Sequence, residues 1–105
     1  MKKRFVSCIY LYQGHAVSNL NDLSVIEEDP LRLAKDYDNA CVDEILVFDL
    51  SKGDQEHEAA LDIIKAICEA VEAEVIGAGN IKRMEDVKKL LYAGCKKVAL
   101  NYELE

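Results

Sequence analysis

The sequence has no CxxC pair, no apolar run approaching the ~20 residues of a membrane span, and no excess of basic charge. Each absence removes a class of function. The cysteines stand singly at positions 8, 41, 68 and 95, and neither His15 nor His57 lies near one of them in the chain. That spacing argues against a zinc site or a disulfide framework and for buried free thiols, which suit a reducing compartment. Thirteen basic residues face 20 acidic ones, for a net charge of -7. Nucleic acid and anionic membranes need a basic face and are not expected as partners. Met1-Lys2-Lys3-Arg4 leads into a strand-like segment that is too short and mixed for a signal peptide, so the expected location is the cytoplasm. No metal and no cofactor is expected.

With 105 residues, half of them hydrophobic, the chain is expected to form one domain over 1–105 with a real core. Arg4-Phe5-Val6-Ser7-Cys8-Ile9-Tyr10-Leu11-Tyr12 is β-branched and aromatic and reads as a first strand, broken by Gln13-Gly14. Residues 15 to 28 carry Asn19, Asn21, Asp22 and Ser24 among apolar residues, the pattern of an irregular excursion with a short hairpin. The single proline then marks a helix start, with Asp29 as N-cap and Pro30 at the first helical position. Leu31, Ala34 and Tyr37 share one face of that helix, which ends near Asn39.

Glu44-Ile45-Leu46-Val47-Phe48-Asp49 is apolar almost without alternation, as in a parallel strand covered on both faces. Asp54 can cap the next helix, expected to run to about Ala73. Leu61, Ile64, Ile67, Cys68 and Val71 form its apolar stripe, opposite the solvated Glu58, Asp62, Lys65 and Glu69. Val75-Ile76-Gly77-Ala78-Gly79-Asn80-Ile81 is a third strand ending in small residues. A helix from Met84 to Ala93 follows, with Gly94 as its C-terminal cap, and Lys97 to Asn101 is a fourth strand.

The order βαβαβαβ predicts an α/β fold with a four-stranded parallel sheet and right-handed crossovers. Ala40–Val47 can be laid on Ala93–Leu100 at an offset of 53 residues. Each copy is a helix end, a turn and an apolar strand, and such a repeat suits a quarter of an eight-stranded barrel. The loop after Val75–Ile81, set between a strand and a helix N-terminus, has the architecture that holds a phosphate. Its Gly77-Ala78-Gly79 is neither GxGxxG nor a P-loop, and a plain strand-to-helix turn reads the same way.

Five segments in register resemble the HisF/HisA-type family of histidine-biosynthesis (βα)8-barrels, above all the cyclase subunit of imidazole glycerol phosphate synthase. Lys3-Arg4-Phe5-Val6-Ser7-Cys8-Ile9 is similar to the family's opening strand, and Asp29-Pro30-Leu31-Arg32-Leu33-Ala34 to its first helix start. The segment from Val42 to Asp49 is similar to its second strand. Ala78-Gly79-Asn80-Ile81 with Glu85-Asp86 resembles its Gly-Gly-Gly-Ile loop and third helix, and Lys97-Val98-Ala99-Leu100-Asn101 its fourth strand. The resemblance spans residues 3 to 102 and implies a (βα)4-type half of a TIM barrel, with the last helix missing. The Gly79-Asn80-Ile81 loop and Leu91-Tyr92-Ala93-Gly94 also resemble the N-terminal domains ahead of phosphoribosyl-AMP cyclohydrolase and phosphoribosyl-ATP pyrophosphohydrolase domains in some bacterial fusions.

The resemblance also implies site residues, and here the departures matter. The family's catalytic aspartate falls on Tyr10 and its lysine on Ser18. A phenol with pKa near 10 is a poor substitute for a carboxylate that takes and returns a proton, and the second catalytic aspartate belongs to the other half. Asp49 matches a strand-end aspartate and is the candidate catalytic residue, expected to point into the barrel mouth. The alternative is a cap on the Ser51-Lys52-Gly53 turn. Ala78, Gly79, Asn80 and Asn101 are the candidate phosphate ligands. Asn80 tolerates left-handed backbone, and Tyr102 stands where the family has a small hydroxyl. Lys82 and Arg83 either add positive charge at the helix start or are simply solvated.

Half a barrel leaves strand edges and one sheet face uncovered. Phe5, Ile9, Leu11, Ile45, Val47, Val75, Val98 and Leu100 are the expected interior residues and an association surface. Two copies about a two-fold axis would close eight strands, so a homo-oligomer is expected; an open, flavodoxin-like sheet is the alternative. Two functions fit. One is a non-catalytic or degenerate half-barrel that self-associates and keeps a weak phosphate-binding loop. The other is a phosphosugar-binding enzyme of cyclase or isomerase type, whose active site forms only in a homo-oligomer or in fusion with further histidine-pathway domains.

Overall fold

Residues 4–81 and 83–99 are described by a computed structural model. Strands β1 (Val6–Tyr12), β2 (His15–Asn19) and β3 (Asp22–Glu27) are followed by helix α1 (Pro30–Asn39) and strand β4 (Glu44–Asp49). Helix α2 (Asp54–Ala70), strand β5 (Glu74–Ala78), helix α3 (Met84–Ala93) and strand β6 (Lys97–Ala99) complete the order. One sheet contains all six strands in the sequence β3-β2-β1-β4-β5-β6. The expected parallel four are β1, β4, β5 and β6. The excursion after β1 is an antiparallel hairpin that widens the sheet by two strands. The parallel strands advance without reversal, and their connecting helices pack into one common core. This is the winding of a barrel segment, and the flavodoxin-like alternative, which needs a switch in strand order, is not observed. The fold is α/β and corresponds to part of a TIM barrel.

Helix boundaries follow local chemistry. Asp29 caps α1, its carboxylate accepting the Leu31 amide at 3.1 Å with Pro30 next to it, as expected. Gly53, at φ +95°, takes the N-cap position of α2, displacing Asp54 into the first turn. Helix α2 also stops at Ala70, three residues short of the expected end. Val71 is extended, and the Asp38 carboxylate of α1 accepts the amides of Glu72 and Ala73 at 3.0–3.1 Å.

The internal repeat is visible in the way α1 and α3 end. The Val42 amide bonds the Tyr37 carbonyl, and the Cys95 amide bonds the Leu90 carbonyl, the six-to-one bond of a Schellman ending in each case. The residue just before each donor has positive φ: Cys41 at +65° and Gly94 at +116°. The next amide then reaches a neighbouring segment, Asp43 to the carbonyl of Phe5 just before β1 and Lys96 to that of Val75 in β5.

The two sheet faces are treated differently. Ile9, Leu11, Ile45, Val47 and Val75 pack with Ala34, Leu61, Ile64, Ile67 and Leu90 in one buried cluster, against which Val98 also packs. Their expected assignment to a barrel interior is therefore corrected: these side chains face the helices. Strand alternation puts Cys8, Tyr10, Leu46, Phe48, Ile76 and Ala99 on the opposite face, where they are only half-buried. Phe5 precedes β1 and is exposed, while Leu100 and the expected absence of a fourth helix lie outside the described residues.

Candidate functional site

The C-terminal ends of the parallel strands form a concavity of about 590 Å³. Tyr12, Phe48, Leu20 and Leu23 supply apolar walls, and Ser51, Lys52 and the Ala78–Asn80 loop supply polar groups. The ammonium of Lys52 lies 5.9 Å from the centre of the Tyr12 ring. Three of the four expected phosphate ligands, Ala78, Gly79 and Asn80, therefore share one cavity wall; Asn101, like Lys82 and Tyr102, lies outside the described residues.

The loop is built by close approach. Gly79 has φ +83°, and a Cβ there would stand 2.5 Å from the Asp49 carbonyl oxygen, so only glycine fits. Asn80 has φ +51°, the left-handed backbone its side chain tolerates. Its amide group donates to the Asp49 carbonyl at 3.2 Å and to the Ser51 carbonyl and hydroxyl at 2.9 Å. Asparagine thus does more than replace a glycine: it ties the β5–α3 loop to the β4–α2 loop. Among the described residues, no backbone acceptor is bonded to the amides of Gly79, Asn80 or Ile81. Arg83, the N-cap of α3, is exposed, and its amide is held by the Asp86 carboxylate at 3.1 Å.

Asp49 does not point into this mouth. It lies on the strand face shared by Ile45 and Val47, is 3% exposed, and turns its carboxylate toward α2. One oxygen accepts the Ser51 amide at 2.9 Å, as the turn-cap alternative requires, and the other meets His57 Nδ1 at 2.5 Å. Asp49 thus lines the concavity, but its carboxylate is turned away because strand parity places residue 49 with the helix-facing residues. His57 is the residue that sequence reasoning missed. Its Nε2 is buried without a hydrogen-bond partner among the described residues, 4.0 Å from the Asp86 carboxylate. The signal available was its place eight positions after Asp49, on the first turn of a helix that begins beside the end of β4.

Tyr10 occupies the open face and stacks on Phe48, ring centres 5.0 Å apart and nearly parallel at 12°. Burial and then the neighbouring Cys8 push its phenol above the ordinary value, so it holds its proton even more firmly than a free tyrosine. Ser18 sits on β2, its hydroxyl accepting from the Asn19 amide group at 3.4 Å. At the opposite ends of the strands Arg4 bonds Glu44 at 2.7 Å, with Glu74 and Lys97 close by. That ionic cluster faces away from the loop end.

No group of His, Cys, Asp and Glu suited to a metal ion occurs among the described residues. None of the described helices is long and apolar enough to cross a membrane.

The family profile described as "Histidine biosynthesis protein" matches residues 4–103. Relatives named imidazole glycerol phosphate synthase subunit HisF are similar over nearly the whole chain. That of Exiguobacterium sibiricum is 33% identical, covering 96% of this chain and 41% of its own length. That of Wolinella succinogenes is 30% identical, covering 96% and 40%, and that of another Exiguobacterium is 29% identical with the same coverage. The chain thus spans about two-fifths of the length of the curated relatives it matches. With a one-sided βα sheet, a repeat offset of 53 residues and a glycine-tight loop at the β5 end, the chain belongs to the histidine biosynthesis protein family as a HisF-type half-barrel.

Proposed function

We propose that this chain is a non-catalytic, cytoplasmic half-barrel that pairs with a second copy of itself and binds phosphate weakly at the Ala78–Asn80 loop. The observation that carries the reading is Tyr10 stacked on Phe48, where the family resemblance calls for a catalytic carboxylate. A half-buried phenol with a raised pKa cannot serve as a general base near neutrality, and Asp49 is committed to Ser51 and His57. Amides at Gly79, Asn80 and Ile81 that meet no backbone acceptor among the described residues, before the N-terminus of α3, suit an anion. Self-association is supported by the helix-free apolar face and by two strand edges. Strand β2 covers the outer edge of β1 only over Tyr10–Tyr12, so Val6–Ile9 is open there among the described residues, as is the outer edge of β6. A two-fold pairing of these edges would bring eight parallel strands together.

A phosphate titration followed by amide NMR tests the binding. Shifts at Gly79, Asn80 and Ile81 with millimolar phosphate are expected, and their absence overturns it. Sedimentation tests the pairing, with a dimer expected at micromolar concentration and a monomer overturning it. The second reading, a phosphosugar enzyme of cyclase or isomerase type assembled from two copies or with further histidine-pathway domains, is favoured by one feature, the buried Nε2 of His57 behind the loop, which has no hydrogen-bond partner among the described residues. Turnover of a phosphosugar that disappears in His57→Gln would replace the first reading with this one.

A further inference from the structure

Four thiols are distributed unevenly over the fold. Cys41 is exposed at the end of α1, and Cys8 lies half-buried on the open face near Tyr10. Cys68, on the last turns of α2, packs against the buried cluster that contains Cys95, just after α3. Backbone packing enforces the contact. Gly94 passes so close to α2 that a Cβ there would stand 2.8 Å from the Cys68 Cβ and 3.4 Å from its sulfur. Cys95 follows directly, its amide pinned to the Leu90 carbonyl at 3.1 Å. A Cβ at Gly77 would lie 3.2 Å from the Cys95 sulfur, so that thiol is packed against β5.

The two sulfurs differ in access. Cys95 is buried at 5% exposure, whereas Cys68 is half-buried and lines a cleft of about 310 Å³ with Glu72, Ala73, Glu74, Val75, Gly94 and Lys96. The neighbouring Cys95 thiol holds the Cys68 thiol below its ordinary value, against burial and the nearby Glu69. The same proximity, with burial, holds the Cys95 thiol above it. The more accessible sulfur is thus the one better placed to react.

We propose that Cys68 and Cys95 form a peroxide-responsive dithiol, in which Cys68 is the attacking sulfur and Cys95 the resolving one. The Cys68 thiolate attacks one oxygen of a hydroperoxide. The O–O bond breaks, the leaving oxygen departs as water or alcohol with a proton, and Cys68 becomes a sulfenic acid. The Cys95 sulfur then attacks the Cys68 sulfur. The S–S bond forms, the S–O bond breaks, and hydroxide leaves with the Cys95 proton as a second water. The pair loses two electrons, the peroxide gains two, and a dithiol reductant reverses the reaction. The bond would fasten the C-terminal end of α2 to the α3–β6 turn.

The experiment treats the intact chain with hydrogen peroxide, blocks remaining thiols, and maps tryptic peptides without reduction. Trypsin separates 66–82 from 90–96, so the expected result is these two peptides joined and released by dithiothreitol. Cys41 is the internal control for exposure. Oxidation of Cys41 or Cys8 while Cys68 and Cys95 remain alkylatable overturns the proposal, as does a disulfide between chains. In Cys95→Ser a sulfenic-acid probe should label Cys68, while in Cys68→Ser it should leave Cys95 unlabelled. Labelling of Cys95 in the latter overturns the assigned order. The wild-type map does not depend on either variant folding.

Discussion

The two faces of the sheet are built from similar letters and end in different states. On one, Ile9, Leu11, Ile45 and Val47 are removed from solvent by the chain's own helices. On the other, Tyr10, Leu46, Phe48 and Ile76 are as apolar but only half-buried. Continuous apolar strands show that both faces of a parallel sheet are meant to be covered. In this chain one face is covered by helices, and the other carries no helix among the described residues. The covered face holds the fold together, and the open face carries the proposed association.

That contrast can be broken from either side. The largest effect is expected at Ile64, which is fully inaccessible in the helix-facing core. Ile64→Ala should cost about 3–4 kcal/mol, as buried large-to-small changes do, seen as a lower midpoint in urea unfolding. On the open face, Leu46→Lys combined with Ile76→Lys should lower the stability of the single chain by only about 1 kcal/mol and should convert the sedimenting species to monomer. An equal loss of stability on both faces would erase the distinction. The smallest effect is expected at an exposed site belonging to neither face. Cys41 holds φ +65° at the position the repeat gives to Gly94, so Cys41→Gly should relieve strain and raise stability by about 0.5–1 kcal/mol in the same unfolding measurement.

Much of the fold was legible because its signals are local. Asp29-Pro30 starts α1, Gly94 ends α3, and apolar runs mark β4 and β5. The end of α2 was not legible, because the Asp38 carboxylate that captures Glu72 and Ala73 comes from another helix. The site divides the same way. The loop at 78–80 was readable from its small residues, and the left-handed Asn80 from its residue type. The inward turn of Asp49 and its bond to His57 were not, since a run without alternation conceals which residues face the helices.

The sequence by itself determined the element order, the repeat offset of 53 residues and the family, because these reside in local propensities and in residues kept in register. Only the tertiary structure decided which apolar residues form the core, where the Asp49 carboxylate points, and that Cys68 meets Cys95. Each of these depends on strand parity and on contacts between elements far apart in the chain. A residue's own letter specifies its chemistry but not the neighbour that the fold brings to it.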